Sequence, residues 1–226
     1  MERLDKLLAA TGRWSRKEVK ELVRQGRVTA RGESVLRPEE KYELNDDIRV
    51  DGQPVCCQKF TYLMMNKPDG LLSATEDKRQ RTVLDLLPEQ YQRQGLFPVG
   101  RLDKDTRGLL LLTNDGELAH RLLAPKSHVD KVYLARVAGR VDEEDVQAFR
   151  EPMDLRDFVT MPAGLELLED GRTCLVTLRE SKFHQIKRMF AAVGCHVDWL
   201  KRVKMGGLSL DETLAEGACR PLTPEE

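Results

Sequence analysis

Arg101, Asp103, Lys104, Asp105 and Arg107 crowd into seven residues of the stretch GRLDKDTRGLLLLTNDG, residues 100–116. A charged run is usually a solvated face, but this one leads directly into Leu109, Leu110, Leu111, Leu112 and Thr113. Those five read as a buried strand, closed by the turn Asn114-Asp115-Gly116. Side chains at the mouth of a buried strand are held in place, as a catalytic carboxylate must be. Two carboxylates two residues apart raise the chemistry of a hydrolase pair, one acid and one nucleophile. Nothing local sets their pKa values apart, however, and Lys104 and Arg107 are placed to pair with Asp105 at the surface. Other chemistries lack their residues. There is no G-x-x-x-x-G-K-[ST] or G-x-G-x-x-G phosphate loop, no H-E-x-x-H and no G-x-S-x-G elbow. His120, His128, His184 and His196 lack metal-ligand spacing, so no metal is expected. What remains is carboxylate chemistry centred on Asp103 and Asp105.

The elements that must position these residues follow from pattern and charge. A chain of 226 residues accommodates one large domain or a medium domain with a small companion, and 40% apolar content supplies a core. The net charge of −1 gives no global sign of an anionic partner. Locally the sign is strong: residues 1–31 hold nine Lys/Arg against four Asp/Glu, and residues 179–204 hold seven against two. Two basic blocks far apart in sequence point to one composite surface for an anionic partner. The five cysteines show no C-x-x-C spacing, and no segment approaches the roughly 20 apolar residues of a membrane span. A cytoplasmic protein without membrane contact is expected, as a monomer.

Residues 2–10 place Leu4, Leu7 and Leu8 at helical spacing, and Ser15 with Glu18 forms a capping-box pattern ahead of a second helix ending at Gly26. Arg16, Lys20, Arg24 and Arg27 follow at steps of four, four and three, a basic stripe suited to a phosphate backbone. Strands are expected at 27–30 and 48–52, then a linker over 53–61. Beyond it, strands are expected at 62–66, 109–113, 131–137, 174–178 and 197–203. Helices are expected at 82–87, 143–150 and 183–193. Strands dominate and helices intervene irregularly, so the class is α+β, with domains at 1–58 and 62–226.

The motifs RLDKLLA, SRKEVKELVRQGRVT and DDIRVDG stand in the order and spacing of the S4 RNA-binding domain, which residues 1–58 resemble. LMMNKPDG, GRLDKDTRGLLLLTNDGELAHRL, KVYLARV and KFHQIKRMFAAVGCHVDWLKRVKMGGLSL resemble, in order, the blocks of rRNA pseudouridine synthases that carry such a domain. The resemblance spans almost the whole chain. It implies a small S4-like (α-L) domain followed by a catalytic domain built on a mixed or antiparallel sheet. It also implies the reaction: the N-glycosidic bond of a uridine in RNA is broken, the base turned, and the base rejoined to its ribose through carbon, with no cofactor.

By the same resemblance Asp103 is the catalytic carboxylate, whether as nucleophile or in removing a ribose proton. It must be ionised, and since burial raises a carboxyl pKa, a nearby cation is required. Lys187, in HQIK, matches the position that supplies it. Arg101 is implied to hold the opened RNA. Tyr133 is implied to stack on the uracil and Leu200 to pack on its other side. The plain alternatives are ordinary core for Tyr133 and Leu200 and a surface ion pair for Arg101. Lys182 and Arg188, in the second basic block, join Arg16, Lys20, Arg24 and Arg27 as RNA-contact candidates. Lys67 reads as a turn or RNA-backbone residue, and Thr106 and Gly108 as turn-shaping positions. Lysine rather than arginine at 187 resembles the small-subunit branch. The expected substrate is therefore uridine 516 of 16S rRNA, in free rRNA or a small-subunit assembly intermediate. The alternatives are the same reaction on 23S rRNA, a non-catalytic S4-type RNA-binding protein, and a hydrolase using Asp103 and Asp105.

Overall fold

Leu4, Leu7 and Leu8, spaced for one helical face, are all buried in α1 (Leu4–Ala10). Ser15 then accepts from the Glu18 amide while Glu18 accepts from the Ser15 amide, and this reciprocal cap starts α2 (Arg16–Arg24). Val19, Leu22 and Val23 form the buried face of α2. Behind the helices, β1 (Val28–Ala30) pairs antiparallel with β2 (Ile48–Val50), extended by Glu33–Ser34 on one edge and Gln53–Pro54 on the other. Val28, Ala30, Ile48 and Val50 point inward with the period of two that a half-buried sheet imposes. Helix α2 stops at Arg24, so Arg27 lies outside it and the basic row is a helical one only through Arg16, Lys20 and Arg24.

The computed structural model describes residues Met1–Glu226, the side chain of Pro125 excepted. It divides into two units, Met1–Thr61 with Leu87–Leu96, and Tyr62–Leu86 with Phe97–Glu226. A split at the 53–61 linker assigns residues 87–96 to the second domain, yet they cluster with the first unit. The short helix α3 (Glu89–Gln92) and the residues after it explain why. Gln94 donates from its side chain to the Thr11 carbonyl at 2.8 Å, and Arg93 lies 3.8 Å from Glu18. Gly12, at φ +75°, makes the approach possible, since a Cβ there would sit 1.7 Å from the Gln90 carbonyl oxygen.

The second unit is built on one large sheet. Its main strands are β3 (Tyr62–Lys67), β4 (Arg107–Thr113), β5 (Lys131–Ala138), β6 (Gly164–Leu167), β7 (Thr173–Leu178), β8 (His196–Met205) and β9 (Cys219–Pro221). They lie in the order β6-β7-β5-β8-β4-β3-β9, antiparallel throughout except for the parallel β8–β4 pair. Leu109, Leu110, Leu111 and Leu112 are all buried because β4 is central and covered on both faces, which a continuous apolar run requires. The expected α+β class and mixed sheet are the ones observed.

Three boundaries differ from expectation. The Asn114-Asp115-Gly116 turn is a helix start: the Asp115 carboxylate accepts from the Leu118 amide at 3.0 Å and caps α4 (Gly116–Leu123). The helix expected at 82–87 is a single 3₁₀ turn, Val83–Leu86. The helix expected at 143–150 is present as α5 (Glu143–Phe149), whereas the last predicted helix begins two residues late, because α6 (Gln185–Ala192) leaves Phe183 outside and His184 in a left-handed conformation at φ +50°.

Gly108 is where parallel pairing demands glycine. Its φ is +97°, and a Cβ would lie 2.2 Å from the Arg202 carbonyl oxygen across the β4–β8 pair. Gly108→Ala is expected to force the two strands apart and cost roughly 3 kcal/mol or more. Urea denaturation of the variant beside the wild type measures this; a loss under about 1 kcal/mol would contradict it.

Candidate active site

The segment from Arg101 to Thr106 enters β4 from a loop fixed at two points. Ser73 Oγ donates to the Leu102 carbonyl at 3.0 Å and accepts from the Leu102 amide at 3.1 Å, in a buried reciprocal pair. Lys67, at the end of β3 and 0% exposed, donates from Nζ to the carbonyls of Pro68, Lys104 and Thr106 at 3.0, 3.0 and 2.9 Å. Lys67 therefore does not face an RNA backbone; it is an internal clamp on the loop. Burial pushes its ammonium down from 10.5 to about 8, against the pull of Asp69, Asp105 and Asp103.

Above this loop the sheet and α6 enclose a cleft of about 420 Å³, open to solvent on one side and lined by Arg101, Asp103, Thr106, Tyr133, Lys187 and Leu200 among others. Tyr133 reaches it from β5 and Leu200 from β8, 7% and 4% exposed. All five candidates for catalysis and the substrate pocket thus line one cleft. Arg101 makes no ion pair or hydrogen bond among the described residues, so it is not the surface pair of the plain alternative. Thr106 Oγ1 is buried with no hydrogen-bond partner among them.

Lys187 stands between two carboxylates. Its Nζ lies 3.6 Å from Asp103 Oδ2 and 2.5 Å from Asp105 Oδ1. The expected partners of Asp105 are engaged elsewhere: Lys104 with Gln80, and Arg107 with Glu216 and Asp69. Asp105 belongs instead to the charge system of the cleft. Burial raises its pKa, but the hydrogen bond and charge of Lys187 outweigh that and hold it below the ordinary carboxylate range. It is thus poorly suited to donate a proton, which a hydrolase acid must do. On the other side of Asp103, Oδ1 lies 3.8 Å from His184 Nε2. His184 was not picked out by pattern, because its approach to Asp103 depends on the left-handed turn before α6.

That turn is tied down by Gln185, 3% exposed, which accepts from the Lys182 amide at 3.1 Å and donates to Glu180 at 2.8 Å. The basic candidates fare differently. Lys182 donates to the Val159 carbonyl at 2.7 Å and lies over the Phe158 ring, whereas Arg188 is committed to Asp157, the Leu155 carbonyl and the same ring. Arg188 is therefore not a free cation for a phosphate. In the first unit Arg16 pairs at 2.8 Å with Asp5, a 0% exposed carboxylate also held by Arg3. Burial raises the pKa of Asp5, and the bonds from the two arginines more than offset it. Arg24 pairs with Glu21 and Arg27 with Asp51, both at the surface, where exchange for a phosphate costs little. Lys20 has no ion pair among the described residues.

Among the described residues no helix is long and apolar enough to cross a membrane, and no cluster of three metal-ligating side chains occurs.

Comparison with known proteins gives this geometry its context. Residues 61–192 match the RNA pseudouridylate synthase family model, and residues 2–48 match the S4 domain. The chain is 48% identical over 229 residues to an uncharacterized RNA pseudouridine synthase of Bacillus subtilis, with 99% of this chain and 96% of that protein covered. It is 40% identical over 227 residues to ribosomal small subunit pseudouridine synthase A of Escherichia coli, covering 99% and 97%. It is also 38% identical over 232 residues to ribosomal large subunit pseudouridine synthase B of Bacillus subtilis, covering 100% and 94%. A crystal structure of a pseudouridylate synthase superposes with a TM-score of 0.70 at 36% identity, covering 100% of this chain and 97% of the other. A half-buried aspartate in a cleft lined by a cation, an aromatic ring and an aliphatic side chain, in a fold shared with that enzyme and following an S4 domain along the sequence, leads to one conclusion: this chain belongs to the RNA pseudouridine synthase family.

Proposed function

We propose that the protein isomerises uridine to pseudouridine in 16S rRNA, at position 516, with Asp103 as the catalytic carboxylate. The observation that carries this reading is the placement of Asp103 in the cleft wall, 3.6 Å from Lys187, with Tyr133, Leu200 and Arg101 lining the same space. The target base must leave its stack, at a cost of roughly a few kcal/mol. Arg101, exposed and unpaired, is placed to hold the opened strand. Tyr133 offers a ring to one face of the uracil and Leu200 an aliphatic surface to the other. The Asp103 carboxylate then acts on the ribose as the N-glycosidic bond breaks, either bonding to the anomeric carbon or taking a ribose proton; uracil turns, and its C5 bonds to the anomeric carbon, displacing the carboxylate in the first case and with the ribose proton returned in the second. The C5 proton leaves and a ring nitrogen gains one, so atoms balance with no co-reactant. Lys187 sets its positive charge 3.6 Å from the Asp103 carboxylate on the wall of the cleft.

Support for the small subunit comes from lysine at 187 and from the Escherichia coli relative. The Bacillus subtilis large-subunit relative keeps 23S rRNA as the second reading. Incubating the protein with unmodified 16S and 23S rRNA, each free and in assembly intermediates, and mapping pseudouridine chemically decides between them. A new pseudouridine confined to 23S rRNA would overturn the substrate while sparing the reaction.

The S4 unit is proposed to capture RNA through Lys20 and Arg24, with Arg27 nearby. Lys20→Ala is expected to weaken binding for all RNA sequences alike and to reduce the slope of log K against log salt by roughly 0.7–1. Arg16→Ala is expected to act on stability instead, since it removes a partner from buried Asp5. An unchanged salt slope in Lys20→Ala would remove that side chain from the RNA contact.

A further inference from the structure

Phe183 is 71% exposed, the one exposed aromatic ring among the described residues. Its position is not casual. It immediately precedes His184 and follows Lys182, both of which line the cleft. One face of the ring is stacked on the His184 imidazole, with centroids 3.9 Å apart and planes 17° from parallel. The same imidazole turns an edge to Asp103, 3.8 Å away. The segment is also stiff: His184 sits at φ +50°, and Gln185 bonds to Glu180 and Lys182 keep it there. A large apolar ring held in water, one face covered by a second ring and the other open, is the geometry of a stacking shelf for a planar group.

We propose that Phe183, backed by His184, is a positioning platform on which the nucleobase adjacent to the target uridine stacks while the uridine occupies the cleft. The proposal rests on the functional reading above and adds a second base contact to it. When a uridine is flipped, its neighbours lose a stacking partner. An exposed ring at the rim replaces that partner and keeps the opened strand from closing. Lys182 beside the shelf is held by the Phe158 ring, the Val159 carbonyl and an ion pair to Glu180 at 3.2 Å, so the ring itself carries the contact. Aromatic stacking tolerates any base, so the platform contributes register and affinity more than sequence discrimination.

The test uses a substrate RNA stem carrying 2-aminopurine one nucleotide 5′ or 3′ of the target. Binding is followed in the Asp103→Asn background so that the substrate is not consumed, and kinetics in the active enzyme. Binding is expected to quench 2-aminopurine at one of the two positions, in the Phe183 parent and in Phe183→Trp. Phe183→Leu, which keeps an apolar side chain but no ring, is expected to lose the quench and to raise KM roughly tenfold, with kcat near wild type and the salt slope unaltered. Pseudouridine formation by the wild type together with an unchanged KM in Phe183→Leu, or with no quench at either position, would overturn the platform alone. Absence of pseudouridine formation by the wild type on every rRNA tried would overturn the functional reading instead. Phe183→Trp keeps an aromatic face and Phe183→Leu keeps only apolar character, so retention of the quench in the first and its loss in the second report the ring.

Discussion

Asp103→Asn is expected to abolish pseudouridine formation, by roughly 10⁴-fold or more in kcat/KM, while leaving RNA binding and the fold close to wild type. The side chain is 28% exposed, and its ion pairs are long, 3.6 Å to Lys187 and 3.8 Å to His184. Isosteric neutralisation thus removes little stability, less than about 1 kcal/mol. What it removes is the carboxylate of the cleft wall that is proposed to act on the ribose. Asparagine keeps the shape and cannot serve as nucleophile or base. The contrast with Asp105 makes the experiment sharper. Asp105 holds Lys187 at 2.5 Å but is far more exposed, so Asp105→Asn frees the lysine for Asp103 and is expected to cost under tenfold. Chemical mapping of pseudouridine in rRNA treated with each variant measures both. Substantial product from Asp103→Asn would end the assignment, and a loss from Asp105→Asn as deep as that from Asp103→Asn would shift the chemistry to the pair.

Lys67→Met should be the second severe lesion, although Lys67 reaches no solvent and no substrate. Its ammonium satisfies three carbonyls, two of them, Lys104 and Thr106, flanking the turn that presents Asp103 and Asp105. Methionine fills the volume but leaves those acceptors buried without a donor, costing about 2–4 kcal/mol at pH 7. It also releases the loop, and displacement of the carboxylate by about 1 Å is expected to cost roughly a hundredfold in kcat. The pH dependence has a definite sign. Folding lowers the pKa of Lys67 from 10.5 to about 8 because burial disfavours the charge. Below pH 8 the amine is charged in both states and the burial penalty is fully present. Between pH 8 and 10.5 the folded chain has lost the proton while the unfolded chain keeps it. The unfolded state then binds more protons, and stability rises with pH. The gap in unfolding free energy between wild type and Lys67→Met should therefore be wider at pH 9.5 than at 7.5. A gap that narrows would mean that the carbonyl cage holds the charge more strongly than burial opposes it.

Much of this protein was legible from local pattern. The Ser15–Glu18 capping box, the leucine-rich β4 and the alternating β5 are written in neighbouring residues, because caps and strand periodicity are local physics. The helix cap at Asp115 was legible in part: the residues promised a turn, and only the Tyr62 hydroxyl and the Leu118 amide, both donating to that carboxylate, make it a helix start. His184 escaped because helical spacing continues through 183–193, while the chain breaks it with a left-handed residue that no periodicity reveals. Lys67 escaped because a lysine in a Pro-Asp-Gly turn is normally solvated. Nothing local announces that Lys104 and Thr106, 37 and 39 residues later, bring their carbonyls to it.

The sequence by itself determined the order of elements, the apolar strand beneath the charged loop, and the residue types that make a pseudouridine synthase cleft plausible. Only the tertiary structure decided which charges are partners. Lys187 comes to Asp103 and Asp105 from more than 80 residues away, Arg188 is drawn into a loop contact, and residues 87–96 join the first unit. The reason is physical. Hydrogen-bonded caps and alternating burial are decided within a few residues. An ion pair or a buried ammonium is decided by which strands the sheet sets side by side, and that depends on the packing of the whole chain.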